Sequence, residues 1–237
     1  MVAGLLALVG GIEFEPGNEP QDREMVAAAG RGPAYVLPTA QARSGPAKAV
    51  AHAQRWFAKL GLEVVELPVT TRAHARSAAL AEKAAEGGFF YLVGGDPGRV
   101  AEVLRGSPVW EAMLGAWRKG AVLAGSSAGS MALCEWTLVI ERWPHHDERK
   151  YKEALNVVPR TVLLPHFDTF GERWIPSATL AAPQPGVTLV GVNERCAAVH
   201  DSRGWRAVGK VVVIRDGERS EYVSGDLLPL PAPLTEA

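Results

Sequence analysis

The chain has 237 residues, of which 47% are hydrophobic and 22% charged, and its formal net charge is −1. This composition is ordinary for a globular domain. The near-neutral charge gives no indication of the basic surface that binding to nucleic acid or to an anionic membrane requires. We therefore expect a small molecule or a peptide as the partner, with no nucleic acid and no membrane.

The cysteine pattern and the amino-terminal residues bear on location. Cys134 and Cys196 form no Cys-x-x-Cys pair, which is typical of free thiols in a reducing compartment. The apolar run within residues 1–14 has no basic residues before it and is too short to span a bilayer. We interpret this run as a first buried strand and predict a cytoplasmic protein.

Apolar runs typical of buried strands alternate with helical stretches through the first half of the chain. The predicted strands are 5–10, 34–37, 63–67, 89–93 and 121–124. The predicted helices are 24–29, 47–60, 75–85 and 109–118. This alternation at short spacing predicts parallel β-α-β units with helices on both faces of a sheet.

The pattern changes after Ala132, where a polar segment rich in Trp and His, 143–149, is predicted to be an exposed excursion. The later predicted strands are 160–164, 188–192, 197–200, 207–214 and 220–223. A hairpin turn at Asp216-Gly217 joins the last two strands. The prediction is a single α/β domain, 1–226, followed by an irregular Pro-rich tail, 227–237. The domain has three layers, with a mostly parallel sheet flanked by helices and a C-terminal antiparallel hairpin.

The segment Gly125-Ser126-Ser127-Ala128-Gly129 carries a Gly-x-Ser-x-Gly pattern. An apolar strand precedes it and a helix-compatible run follows it, as a nucleophilic serine on a sharp strand-to-helix turn requires. Only glycine-sized neighbours fit around such a turn, and the free N–H groups of the following helix favour negative charge on a substrate oxygen. We predict Ser127 as a nucleophile and the Ala128 N–H as an oxyanion donor. The alternative is a turn that only packs a helix close to the sheet, or that binds phosphate.

A serine nucleophile needs a general base, and His166 is the best candidate among the six histidines. It follows the apolar run at 161–165, and active sites in open parallel sheets form at the carboxyl ends of strands. A purely structural histidine is the alternative. The remaining histidines are interpreted as surface, loop or turn residues: His52, His74, His145, His146 and His200.

The base in turn needs a carboxylate that fixes the tautomer of the imidazole. Glu194 lies just past the carboxyl end of the predicted strand 188–192, and therefore near the same edge as the serine. Asp168 lies two residues after His166 and would need a sharp local turn to reach the ring. Spacing favours Glu194, while Asp168 and Asp201 stay open as alternatives.

The glycine pair Gly94-Gly95 follows the predicted strand 89–93. Glycines at the carboxyl end of a strand can bring a backbone N–H group close to a substrate oxygen. A plain turn between a strand and a helix explains the pair almost equally well.

These segments, in this order, resemble the family of serine peptidases that includes dipeptidase E and cyanophycinase. The matching segments are Val9-Gly-Gly11, Tyr91–Asp96, Ala121–Ser130, Pro165–Phe167 and Gly191–Glu194. The resemblance implies a fold like that of the class I glutamine amidotransferases, a flavodoxin-like architecture, with serine in place of their cysteine. It also implies a triad of Ser127, His166 and Glu194, and an oxyanion hole formed by Gly95 and Ala128.

The chain departs from the cyanophycinase pattern in two places. Pro97 stands where cyanophycinase-like members have a glutamine after Gly-Gly-Asp, and residues 170–172 stand where closely spaced arginines engage the substrate. Only Arg173 remains nearby, and a Phe or Glu cannot hold a carboxylate in the bidentate manner of an arginine. These departures argue against cyanophycin as the substrate. The candidate substrate-binding residues are Ser126, Asp96 and Arg173.

We predict from these residues a serine peptidase, of exopeptidase or dipeptidase type, that hydrolyses small peptides through an acyl-enzyme on Ser127 and needs no cofactor or metal. The sequence does not reveal the oligomeric state; a homodimer rests only on the general frequency of cyclic dimers among oligomers. Two alternatives remain. One is an esterase of the α/β-hydrolase type, for which His200 would be the late base. The other is a binding protein that keeps the pocket without catalysis.

Overall fold

A computed structural model describes residues 3–142 and 144–235. Its strands are β1 (Leu6–Val9), β2 (Ala34–Leu37), β3 (Val64–Glu66), β4 (Phe89–Leu92), β5 (Val122–Ser126), β6 (Trp136–Ile140), β7 (Arg149–Glu153), β8 (Thr161–Leu164), β9 (Thr188–Val192), β10 (Ala197–Asp201), β11 (Gly204–Val208), β12 (Val211–Arg215) and β13 (Glu218–Tyr222). Its α-helices are α1 (Glu19–Ala28), α2 (Pro46–Lys59), α3 (Arg72–Ala75), α4 (Ala78–Ala85), α5 (Pro97–Leu104), α6 (Pro108–Arg118), α7 (Ala128–Leu133) and α8 (Ile175–Leu180). Short 3₁₀ helices cover Thr39–Gln41 and Gly171–Trp174.

The larger sheet has seven strands in the order β11-β10-β1-β5-β4-β2-β3. Strands β1, β5, β4, β2 and β3 are parallel, and β10 and β11 extend the sheet in antiparallel fashion. Both faces are buried, because successive residues alternate between two hydrophobic clusters: Phe90 and Leu92 of β4 lie in one, and Phe89 and Tyr91 lie in the other. The predicted α/β fold with a mostly parallel central sheet is confirmed, while its likeness to the glutamine amidotransferases stays a prediction.

Helices cover each face of this sheet. On one face Phe57 of α2 packs edge-on against Phe89 and Tyr91, with ring centroids 5.3 and 5.5 Å apart. On the other face Trp117 of α6 and Met131 of α7 belong to the cluster around Leu92 and Phe90. Full burial of one such side chain contributes about 2–3 kcal/mol, so these contacts stabilise the packing of the helices on both faces of the sheet.

Four further strands form a second sheet in the order β13-β12-β9-β8, in which β8 and β9 are parallel. Strands β8 and β9 lead to His166 and Glu194, so the expectation that these residues lie at the same sheet edge as Ser127 is wrong. The physical reason is that β10 pairs with β1 and occupies the side of the main sheet that β8 or β9 would need. The two sheets nevertheless meet at their carboxyl ends, since the His166 N–H donates to the Gly10 carbonyl at 2.8 Å.

Two predicted elements are divided in the structure. The predicted strand 207–214 is the pair β11 and β12, because Gly209 turns the chain with a φ of +76°, and a Cβ there would lie 2.3 Å from Cys196 Sγ. The predicted helix 75–85 is split into α3 and α4, because the Ser77 hydroxyl accepts the Leu80 N–H at 3.4 Å and starts a new helix. The short helix predicted at 24–29 is the second half of a longer one, α1.

The sequence patterns do not predict helices α5 and α8 or strands β6 and β7. Helix α5 begins where the Asp96 carboxylate accepts the Arg99 N–H at 3.1 Å, with Pro97 in its first turn. The segment predicted as an exposed excursion is flanked by a hairpin, β6 and β7, in which Ile140 faces Arg149. Trp143, within that segment, lies outside the described residues.

The antiparallel hairpin of β12 and β13 turns at Asp216-Gly217, with Arg215 opposite Glu218. Residues 227–235 contain no helix and no extended strand, and they run beside β11, where the buried Leu228 donates its N–H to the Trp205 carbonyl at 3.0 Å. The boundaries at 1–226 and 227–237 stay predictions. In the part of the chain that the structure describes, no helix combines the length and apolar character needed to cross a membrane.

Candidate active site

Ser127 occupies a sharp turn between β5 and α7, with a φ of +47° and a ψ of −112°. A positive φ is strained for a residue with a Cβ and persists only where the surroundings enforce it. The Ser127 N–H donates to the Val9 carbonyl at 2.9 Å. The flanking glycines leave no room for side chains: a Cβ on Gly125 would lie 2.5 Å from the Gly129 carbonyl carbon, and one on Gly129 would lie 2.1 Å from the Leu92 oxygen. The predicted strand-turn-helix setting of Ser127 is therefore present.

His166 and Glu194 are brought to Ser127 across the gap between the sheets. His166 Nε2 lies 3.1 Å from Ser127 Oγ, and His166 Nδ1 lies 2.8 Å from Glu194 Oε1. His166 also has a positive φ, +47°, and its ring lies against Gly11, where a Cβ would come within 2.3 Å of Cε1. The side chains of His166 and Glu194 are 15% and 20% exposed, so the pair is shielded yet open to the cleft.

The Glu194 carboxylate is held by several partners. Thr169 Oγ1 donates to Glu194 Oε1 at 2.9 Å, and Asp168 Oδ1 accepts the Glu194 backbone N–H at 3.0 Å. Burial alone would raise the pKa of Glu194, but hydrogen bonds from His166 and Thr169 and the nearby charge of Arg195 outweigh it and lower that pKa. Glu194 is therefore ionised at neutral pH and suited to accept a hydrogen bond from the Nδ1–H group of His166. Asp168 contacts the backbone of Glu194 rather than the imidazole.

The other open candidates lie elsewhere. His200 faces Leu6 at the amino end of β1, whereas the register places Ser126, next to the nucleophile candidate, opposite Val9 at the carboxyl end. Asp201 forms ion pairs with Arg203 and Arg206 and contacts no histidine of the site. Within the described ranges, no cluster of three or more His, Cys, Asp and Glu side chains is placed to hold a metal ion.

Phe170, the first of the residues 170–172 that depart from the cyanophycinase pattern, contacts His166 directly. Its ring stacks on the His166 imidazole with centroids 4.8 Å apart and planes 22° apart. Trp174 supports Phe170 from behind at 5.4 Å. The apolar ring covers one face of the imidazole and restricts its orientation.

The glycine pair lies beside the serine. A Cβ on Gly94 would be 3.3 Å from Ser127 Cβ, and Gly95 has a φ of +142°. In the described part of the chain, the Gly95 N–H has no hydrogen-bond acceptor. The Ala128 N–H is the first of α7, and such a group has no carbonyl partner within its helix. Two backbone donors are thus unoccupied near Ser127.

Sequence reasoning missed Glu13, which lines the cleft and joins its own loop to the loop after β4 and to the end of β5. Glu13 Oε1 accepts the Gly94 N–H at 2.8 Å, and Glu13 Oε2 accepts the Ser126 hydroxyl at 2.9 Å. Ser126 is fully buried and so does not face the cleft. The only sequence signal for Glu13 is its position just after the glycines that end the first strand.

An open cleft of about 710 Å³ contains Ser127 and His166. Among its lining residues is a basic group, Arg195, that sequence reasoning did not select. The predicted substrate-binding residues Asp96 and Arg173 do not line this cleft. Asp96 caps α5, and Arg173 is 63% exposed with its Nε 3.9 Å from an Asp147 oxygen.

The fold corresponds to that of a known peptidase structure. The structure of a peptidase from an acI-B1 actinobacterium superposes with a TM-score of 0.80 at 25% sequence identity, over 95% of this chain and 96% of that one. The chain belongs to peptidase family S51, whose model matches residues 5–206. The predicted relationship to dipeptidase E and cyanophycinase is therefore confirmed.

Individual relatives agree with this membership. Cyanophycinases from Trichormus variabilis and from a Nostoc species are each 26% identical over 215 residues, which is 87% of this chain and 72% of theirs. A putative peptidase E protein from Listeria monocytogenes shares the fold, with a TM-score of 0.60 at 18% identity over 93% of this chain and 98% of that one. Family S51 is a family of serine peptidases, which supports peptidase activity for this chain.

Proposed function

We propose that this protein is a serine peptidase in which Ser127 is the nucleophile, His166 the general base and Glu194 the carboxylate that orients the base. The main support is an unbroken series of contacts. Ser127 Oγ lies 3.1 Å from His166 Nε2, and His166 Nδ1 lies 2.8 Å from Glu194 Oε1. A serine hydroxyl is a weak nucleophile without such a base. The strained turn at Ser127 then acts as a nucleophile elbow that projects Oγ into the cleft.

The reaction follows from these positions. Ser127 Oγ attacks the carbonyl carbon of the peptide bond while its proton moves to His166 Nε2, and Glu194 stabilises the imidazolium through Nδ1–H. The tetrahedral oxyanion accepts hydrogen bonds from the Gly95 and Ala128 N–H groups. The intermediate expels the amine, which takes the proton from His166 Nε2. Water then attacks the carbonyl carbon of the acyl-enzyme and gives a proton to His166 Nε2; the ester bond to Ser127 Oγ breaks, Oγ takes that proton back, and the acid is released.

Small peptides are the proposed substrates, cleaved in the manner of an exopeptidase or dipeptidase. Peptidase and cyanophycinase relatives support peptide-bond cleavage. Two features argue against cyanophycin itself as the substrate. Phe170, which stacks on the imidazole, lies in the stretch where cyanophycinase-like members have substrate-binding arginines, and Arg173 does not line the cleft. As part of the same proposal, the fold around the site is like that of the class I glutamine amidotransferases, with a serine where those enzymes have a cysteine.

A dipeptide library, scored by release of the amino-terminal residue, tests this function. We expect the wild type to hydrolyse a subset of the library, and Ser127→Ala and His166→Ala to lose about 1,000-fold or more in kcat. Ser202→Ala, at an exposed serine in a turn, is the matched control and should behave as wild type. Hydrolysis that persists in Ser127→Ala would contradict the proposal, and a wild type that binds peptides without cleaving them would favour a binding protein.

A further inference from the structure

The peptide unit between Gly94 and Gly95 has an unusual need for external support. A Cβ at position 95 would lie 2.5 Å from the Ala40 oxygen, and one at position 94 would crowd Glu13 Oε1 at 2.9 Å. Close packing against the backbone therefore requires glycine at position 95, and a side chain at position 94 would displace the Glu13 carboxylate. Glycine imposes little steric barrier to backbone rotation, so the same pair leaves this peptide unit free to turn unless something holds it.

Gln41, in the 3₁₀ helix after β2, provides that support. Its Nε2 donates to the Gly94 carbonyl oxygen at 2.9 Å. The Ser44 hydroxyl donates to Gln41 Oε1 at 2.6 Å, which determines which end of the amide faces the peptide. From the other side, Glu13 accepts the Gly94 N–H at 2.8 Å. Gly94 is thus held at both its N–H and its carbonyl group.

The direction of the next N–H group follows from the planar trans peptide. In such a unit the carbonyl and the N–H point in opposite directions. Because the Gly94 carbonyl points to Gln41, the Gly95 N–H points away from it, and within residues 3–142 and 144–235 that N–H has no acceptor. Gly95 lines the same cleft as Ser127 and His166.

From this geometry we infer that Gln41 is a positioning residue: by holding the Gly94 carbonyl, it aims the Gly95 N–H at the oxyanion that forms on the substrate. This inference rests on the proposed function of Ser127. Gln41 acts through the backbone, and its contribution is realised in the transition state, where negative charge develops on the substrate oxygen.

Gln41→Met tests this role, because methionine keeps the length of the side chain and removes the donor. We expect kcat to fall about 10- to 100-fold, with KM within about twofold, since one misaligned oxyanion donor weakens the transition state and not the ground state. A peptide aldehyde that forms a tetrahedral adduct with Ser127 should lose affinity by the same factor as kcat/KM. A product-like peptide should bind as it does to the wild type.

Gln54, on helix α2, provides a matched control. Its Nε2 also donates to a backbone carbonyl, that of Val64, at 3.3 Å. Gln54→Met should leave kcat and aldehyde affinity unchanged. Gln41→Glu is a second test, because it keeps the shape of the side chain but replaces the donor with a carboxylate oxygen. We expect it to lose kcat at least as strongly as Gln41→Met.

Two kinetic results and one structural result would overturn the inference. An unchanged kcat in both Gln41 variants would show that the bond to Gly94 does not matter, and a raised KM with unchanged kcat would make Gln41 a substrate-binding residue instead.

A crystal structure of Gln41→Met separates this inference from the proposed function, because it needs no activity. We expect the Gly94 carbonyl to be rotated in that structure. An unrotated peptide would refute the positioning role even in a fully active enzyme, whereas a wild type without peptidase activity would refute the proposed function and leave the crystal structure to decide the role of Gln41.

Discussion

Asp22 is a carboxylic acid in the core of the protein, and replacing it with asparagine should stabilise the fold in a pH-dependent way. Its side chain is 1% exposed and receives one hydrogen bond, from Trp56 Nε1 to Oδ2 at 2.6 Å. Its other oxygen, Oδ1, has no hydrogen-bond partner among the described residues. Burial raises the pKa of Asp22 from 3.8 to about 7, against the opposing effect of the Trp56 bond.

The difference between the pKa of Asp22 in the folded protein and in the unfolded chain determines the size and sign of the change in the free energy of unfolding. Below the unfolded-state pKa, near 3.8, Asp22 is protonated in both states and the substitution changes little. As the pH rises from there to about 7, the unfolded chain releases the proton and the folded protein retains it, so the free energy of unfolding of the wild type falls. At about 1.4 kcal/mol per pH unit, the loss reaches about 4 kcal/mol and is constant above pH 7. Asp22→Asn removes this loss, because an amide carries no charge at any of these pH values.

Urea unfolding followed by tryptophan fluorescence, at about pH 5 and about pH 8, measures the difference. We expect the advantage of Asp22→Asn over the wild type to grow by about 2–4 kcal/mol between the two pH values. Comparing variant with wild type at each pH cancels the contributions of the other carboxylates. Glu63→Gln, at an exposed carboxylate, is the control and should show no such growth. An advantage of Asp22→Asn that is independent of pH, or a variant less stable at the higher pH, would refute the reasoning.

Three further substitutions test the site and its frame. Glu194→Gln should lower kcat on a peptide substrate by about 1,000-fold with little change in KM, because the amide does not stabilise the His166 imidazolium; a loss below about tenfold would contradict the role of Glu194. Phe170→Ala should lower kcat/KM about 3- to 10-fold, since the stacked ring that orients the imidazole contributes about 0.5–1.5 kcal/mol, and circular dichroism should show an unchanged fold. Gly129→Ala should lower the free energy of unfolding by about 3 kcal/mol or more in urea, because the new Cβ would lie 2.1 Å from the Leu92 oxygen; wild-type stability would contradict the packing at this turn.

The sequence predicts which side chains of the candidate site lie close together better than it predicts which sheets carry them. The glycines at 125 and 129 with an apolar strand before them indicate the turn at Ser127, because few other residues can pass so close to a neighbouring strand. Their positions just after predicted strands select His166 and Glu194. In the structure the His166 side chain contacts Ser127, and Glu194 contacts His166. The selection succeeds although it assumes that all three residues follow strands of one sheet, which is wrong. Strands of two different sheets end next to each other at this site.

The supporting residues were beyond sequence reasoning for a physical reason. Glu13 contacts groups 81 and 113 positions away, and Gln41 contacts one 53 positions away. Both lie in loop or 3₁₀ segments where no periodicity marks a buried face, so only the folded chain shows what they contact. Helix α5 is different, because its signal was present: Asp96 followed by Pro97 is a typical helix start.

The most direct test of the central claim is covalent labelling of the wild-type protein with a fluorophosphonate, with the adduct located by mass spectrometry. We predict a single adduct on Ser127, formed by the wild type and by His200→Ala, greatly slowed in His166→Ala and absent in Ser127→Ala. A wild type that forms no adduct, or an adduct on a serine other than Ser127, would contradict the account.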